Sequence, residues 1–139
     1  MNDPLKDMLI RHEGLRLHPY TDTVGKLTVG IGRNLDDVGI TKDEALYLLT
    51  NDLDRCYCEL DKALPWWRGL NEARKAVLLN MCFNLGINRL LGFNNTLGYM
   101  RVGQYEKAAD NMLKSKWAEQ VGQRATELSE MMRTGSWPA

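Results

Sequence analysis

The spacing of apolar residues changes repeatedly along the chain, and each change marks an element. Leu5, Met8 and Leu9 recur at helical spacing behind Asp3-Pro4, which opens a helix: the Asp side chain accepts from unpaired N–H groups, and proline is pre-shaped for the first turn. Glu13 falls at the C-terminal end of that stripe, where Gly14 stops it. Leu27, Val29 and Ile31 then alternate with Thr28, Gly30 and Gly32, which predicts a strand with one buried apolar face and Thr28 on the other. Asp22-Thr23-Val24-Gly25 reads as the preceding turn, so residues 15–33 form a small glycine-rich hairpin with Asp22 projecting from its turn.

Thr41-Lys42-Asp43-Glu44 has the form of a capping box, and Ala45, Leu49, Leu53, Cys56, Leu60 and Leu64 follow at spacings of three or four until Pro65. This predicts a helix of about six turns. Residues 71–85 are apolar on most sides, the pattern of a helix through the centre of a core, and Gly86 ends it. Three shorter helical segments follow, near residues 95–102, 104–115 and 121–132, punctuated by Gly92, Gly103 and Gly122. Helix, small antiparallel sheet, long helix and helical lobe define the α+β class, and a cleft between sheet and helical lobe is the natural place for a ligand.

Composition narrows the function classes. The 139 residues fit one domain. Eighteen basic residues balance eighteen acidic ones, so no overall field draws the chain to nucleic acid. No apolar run reaches the length of a membrane span, and the N-terminus lacks a signal-peptide core, so the expectation is a chain without stable membrane insertion that accumulates in a reducing cytosol. The charges of residues 121–132 are mixed, which argues for a packed helix there and against an interfacial one. Cys56, Cys58 and Cys82 are odd in number and lack the usual zinc spacings, which points to free, partly buried thiols with no metal or other cofactor. Trp66 and Trp67 read as packing at a helix junction, with a sugar platform as the alternative.

Glu13 and Asp22 are the candidate chemistry. Glycoside hydrolysis needs an acid to protonate the leaving oxygen and a second group to supply or guide the nucleophile. A helix-end glutamate beside a short sheet can be shielded by apolar neighbours and held protonated, while a turn aspartate stays ionised. Each also has a plain structural reading: a solvated helix-end side chain for Glu13, an Asx-turn residue for Asp22 and a solvent-facing strand residue for Thr28.

A resemblance running from about Leu9 to Trp137 adds to these readings. HEGLRLHPYTDTVGKLTVGIGR (residues 12–33) resembles the catalytic signature of the phage-type lysozymes, the glycoside hydrolase family of the T-even phage endolysin. ITKDEA (40–45), NMCFNLG (80–86), GFNNTL (92–97), KSKW (114–117) and RTGSW (133–137) resemble family segments in the same order. The resemblance implies a small β-containing lobe at about residues 13–40, a linking helix at about 41–64, and a helical lobe at about 65–139 that includes the N-terminal helix.

It implies a muramidase acting on bacterial peptidoglycan with inversion, Glu13 being the acid while Asp22 and Thr28 hold the attacking water. Asn34, Phe83, Thr96 and Asn111 match cleft positions that meet sugar, although Phe83 also reads as core packing, and Arg124 matches an arginine that pairs with the catalytic glutamate. The resemblance further implies a monomer, released to the wall through a holin for host lysis. A lytic transglycosylase and a catalytically silent wall-binding module are the rival readings. Two departures stand out: Arg33 occupies a position where the T-even enzyme has histidine, and the connection from Asn34 to Ile40 is shorter.

Overall fold

The computed structural model describes residues 3–138. They fall into two compact units, one ending at Leu48 and the other beginning at Leu49.

In the first unit, helix α1 (Pro4–Glu13) starts where Asp3 Oδ1 accepts from Leu5 N at 3.0 Å and Lys6 N at 3.3 Å. It ends where the Gly14 N–H donates to Ile10 O at 2.8 Å, with Gly14 at φ 77°. Strands β1 (Arg16–Thr21), β2 (Leu27–Gly30) and β3 (Arg33–Asn34) form one antiparallel sheet in the order β1-β2-β3. Tyr20 pairs with Thr28 and Thr21 with Leu27, while on the other side Thr28 pairs with Asn34. The hairpin expected from the sequence thus carries a third strand, and Ile31 lies in the turn between β2 and β3 rather than in the strand.

The facing of β2 is the reverse of the one its alternation predicts. Thr28 is only 3% exposed, whereas Leu27 and Ile31 are exposed and Val29 is half-buried. Thr28 pairs with Tyr20 on one side and with Asn34 on the other, in the middle of the sheet. The apolar stripe of α1 is likewise exposed at Leu5, Met8 and Leu9, and α1 has no buried residue.

The capping box forms as its spacing requires. Thr41 Oγ1 accepts from Glu44 N at 3.1 Å and Glu44 Oε1 accepts from Thr41 N at 2.8 Å, opening helix α2 (Lys42–Ala63). Within α2 the apolar stripe is buried only at Cys56 and Leu60, with Leu64 just beyond its end, while Leu49 and Leu53 are exposed.

In the second unit a turn of 3-10 helix (Pro65–Gly69) leads to α3 (Glu72–Leu85), α4 (Ile87–Leu91), α5 (Asn94–Arg101), α6 (Tyr105–Leu113), α7 (Lys116–Val121) and α8 (Gln123–Thr134). The expected three terminal segments are therefore α5, α6 and α8, and α4, α7 and the 3-10 turn went unread because each is too short to display a helical period. Helix α6 packs on α5 and α8, and α3 packs on α8, around Val77, Leu78, Met81, Leu90, Met100, Met112 and Met132. Helix α8 is a packed helix, as its mixed charges imply.

Two polar anchors tie this core together. Asp61 Oδ1 accepts from the indole N–H of the fully buried Trp67 at 2.8 Å and from Arg68 Nε at 2.7 Å, so Trp67 is packing at a helix junction. Arg74 donates to Met132 O at 2.8 Å and Arg133 O at 3.1 Å while Asn71 Nδ2 donates to Gly135 O at 2.9 Å, satisfying carbonyls at the end of α8.

Candidate functional site

Asp22 and Thr28 are both held by the backbone of one residue, Lys26. The turn after β1 brings the N–H of Lys26 to Asp22 Oδ1 at 2.8 Å, and Asp22 Oδ1 also accepts from Val24 N at 3.0 Å. The carbonyl of Lys26 accepts from Asp22 N at 2.9 Å and from the Thr28 hydroxyl at 2.9 Å. Gly25, at φ 86°, makes this turn possible. The Asp22 carboxylate is oriented through Oδ1, and Thr28, having given its proton to the backbone, keeps oxygen lone pairs able to accept from a water.

Glu13 lies against the turn that leads from β2 to β3. A Cβ built on Gly32 would stand 2.7 Å from Glu13 Oε2 and 3.0 Å from Cδ, and Gly32 itself has φ 71°. Any larger residue there displaces the carboxylate, so the missing Cβ of Gly32 makes room for Glu13, which the alternation pattern did not indicate. The signal was present in Gly30-Ile31-Gly32, which read only as strand alternation. Glu13 itself is exposed, so the apolar shielding expected of it is not what surrounds it here.

Arg33 forms a two-pronged ion pair, NH1 to Glu44 Oε1 and NH2 to Glu44 Oε2, both at 2.7 Å, and NH1 also donates to Gly39 O at 3.1 Å. The Arg33 guanidinium, followed by the Thr41 N–H, holds the Glu44 carboxyl down at about 2. The short connection from Asn34 to Ile40 is thus closed by an arginine that also fastens the first turn of α2.

The remaining candidates are dispersed. Asn34 folds its amide onto Asp37, accepting from Asp37 N at 2.9 Å and donating to Asp37 Oδ2 at 3.0 Å. In the second unit, Thr96 and Asn111 line a cavity of about 630 Å³ together with Arg89, Asn95, Lys114 and Trp117. Phe83 does not line that cavity, and it is 43% exposed rather than packed in the core that α3 otherwise builds. Arg124 donates from Nε to Asn80 Oδ1 at 2.9 Å, joining α8 to α3. Among the described residues, the one grouping of three metal-type side chains is Cys56, Glu59 and Cys82.

Helix occupying 67% of the described residues, with one small antiparallel sheet, gives this protein a lysozyme-like α+β fold. Residues 10–133 match the family model described as Phage lysozyme, and the chain belongs to that family, whose members are glycoside hydrolases.

The chain is 31% identical over 163 aligned positions to the pre-baseplate central spike protein Gp5 of Enterobacteria phage T4, an alignment covering 97% of this chain and 28% of that protein. It therefore spans under a third of Gp5. It is 27% identical to the probable T4-type lysozyme 1 of Dictyostelium discoideum, with 98% of this chain and 97% of that protein covered. Identity to the SAR-endolysin of Escherichia phage Mu is 26%, covering 89% of this chain and 76% of that protein.

Proposed function

We propose that this protein is a muramidase that hydrolyses the β-1,4 bond between N-acetylmuramic acid and N-acetylglucosamine in bacterial peptidoglycan, with inversion, in phage-driven lysis of a host cell. The observation that carries the reading is the backbone of Lys26, which orients a carboxylate and a hydroxyl together in a chain of the phage lysozyme family.

In this reading Glu13 gives its proton to the leaving glycosidic oxygen. A water held by Thr28 Oγ1 and Asp22 attacks the anomeric carbon from the opposite face, and Asp22 takes the proton that the water loses. The products are a new reducing end and a free 4-hydroxyl, with no covalent enzyme intermediate. Thr96 and Asn111 offer a hydroxyl and an amide, groups that pair with sugar hydroxyl and acetamido functions.

Turbidity loss of outer-membrane-stripped Gram-negative cells tests the acid. General acid catalysis contributes about 10²- to 10⁴-fold, so Glu13→Gln should lose clearing activity by roughly that factor while keeping the wild-type circular dichroism spectrum. Near-wild-type clearing by this variant sinks the assignment. Mass spectrometry of the digested wall separates hydrolysis from its nearest rival: reducing ends support the muramidase, and anhydro sugars as the main product indicate a lytic transglycosylase.

A further inference from the structure

Cys56 and Glu59 stand one turn apart on α2, which puts them on one helix face, and Cys82 comes from α3. The two sulfurs and a Glu59 carboxylate oxygen all lie within 4.8 Å of one another. Both thiols are free and deeply buried, at 1% and 2% exposure, whereas the Glu59 side chain is 36% exposed. Two soft donors on the inside and one carboxylate at the partly exposed edge supply three of the four ligands that a tetrahedral site needs.

We infer that Cys56, Glu59 and Cys82 bind a thiophilic divalent cation, Zn²⁺ or a close analogue, clipping α2 to α3 within the helical core. Zinc bonds of about 2.3 Å to sulfur and about 2.0–2.2 Å to oxygen correspond to ligand separations of about 3.5–3.8 Å, so each donor pair needs to close by no more than about 1.3 Å. Calcium and magnesium are disfavoured by the two sulfurs.

Binding converts both thiols to thiolates and releases two protons to solvent. The resulting unit of one dication and three anionic ligands carries one net negative charge. Arg55 stands ready to offset it, with Nε 3.9 Å from Glu59 Oε1. Without a cation, burial and the neighbouring Cys56 push the Cys82 thiol up to about 12. Such thiols are poor nucleophiles, and a cation is what would ionise them. None of the three residues belongs to the proposed hydrolytic machinery, so this site is independent of that reading.

The experiment titrates the reduced, chelator-stripped full chain with Co²⁺. The expected result is saturation at one equivalent, with thiolate-to-cobalt charge-transfer bands and tetrahedral d–d absorption, both abolished by added Zn²⁺. Excess Zn²⁺ should also raise Tm by several degrees. Cys58→Ser, at the exposed cysteine outside the cluster, should keep the spectrum, and Cys82→Ser should lose the charge-transfer bands. Because Cys82 is a core residue, Glu59→Gln at the solvent edge provides a test that leaves the packing intact, and it should weaken Co²⁺ binding at least tenfold. Absence of saturable uptake, uptake unchanged by Glu59→Gln, a spectrum surviving in Cys82→Ser, or one lost in Cys58→Ser would each overturn the proposal.

Discussion

The least conspicuous residue near the proposed acid sets its position. Gly32 has no functional group, yet its missing Cβ makes room for the Glu13 carboxylate and its positive φ shapes the turn from β2 to β3. Gly32→Ala should therefore act twice: backbone strain of about 1–2 kcal/mol, read in thermal unfolding, and a displaced carboxylate, read as a fall in kcat beyond what the lost stability explains. Unchanged kcat in the folded fraction would mean that Glu13 does not need that position. Thr28 separates hydroxyl chemistry from packing. Thr28→Val keeps the shape but loses the hydroxyl and leaves the Lys26 carbonyl without that donor, while Thr28→Ser keeps the hydroxyl. Steady-state assays on soluble wall fragments should show a marked activity loss in Thr28→Val and substantial retention in Thr28→Ser.

Among the elements, the start of α2 gives one carboxylate two roles. Glu44 is both the reciprocal member of the capping box and the partner of Arg33, which also donates to Gly39 O, so the Arg33–Glu44 pair ties β3, the 34–40 connection and α2. Its carboxyl is depressed from an ordinary value of 4.5 to about 2. The folded form therefore gains from its ionisation fully above about 4.5 and loses that gain as the pH falls through about 2. Thermal unfolding between pH 5 and pH 2 should show Tm falling with acid, and Glu44→Gln should flatten the slope. Some slope should remain, because Asp61, held at about 2 by Arg68 and the Trp67 indole, titrates over a similar range. An identical slope in wild type and variant would show that the Arg33 pair does not couple to folding.

At the scale of the whole molecule, the apolar core is confined to one part of the chain. Among the described residues, every buried apolar side chain lies between Cys56 and Met132, while the unit ending at Leu48 contributes only Thr28 to the buried set. A segment of under fifty residues encloses too little surface to make a core of its own. Chemical denaturation should follow that division. Met81→Ala, at a fully buried side chain, should cost about 2–5 kcal/mol, and Leu17→Ala, at an exposed one, less than about 0.5 kcal/mol. Equal costs would mean that Leu17 is as essential to the fold as the helical core.

Local signals determined much of this protein without tertiary help. Asp3-Pro4, Gly14, the Thr41–Glu44 box, Asn71 and Gly86 start or stop helices through bonds to backbone a few residues away, so their sequence is enough to place α1, α2 and α3. Ordered motifs likewise led to the family. What needed the third dimension was facing and company. Alternation shows that β2 has two faces but not which one is enclosed, because that depends on what packs against each face, and here it is Thr28 that is buried. Phe83 sits on an apolar helix yet turns outward, since burial is decided by neighbouring helices rather than by local composition. The Lys26 backbone shared by Asp22 and Thr28, the space beneath Glu13 at Gly32, and the meeting of Cys82 with Cys56 and Glu59 all join groups separated along the chain. Only folding sets those distances, and the chemistry depends on them.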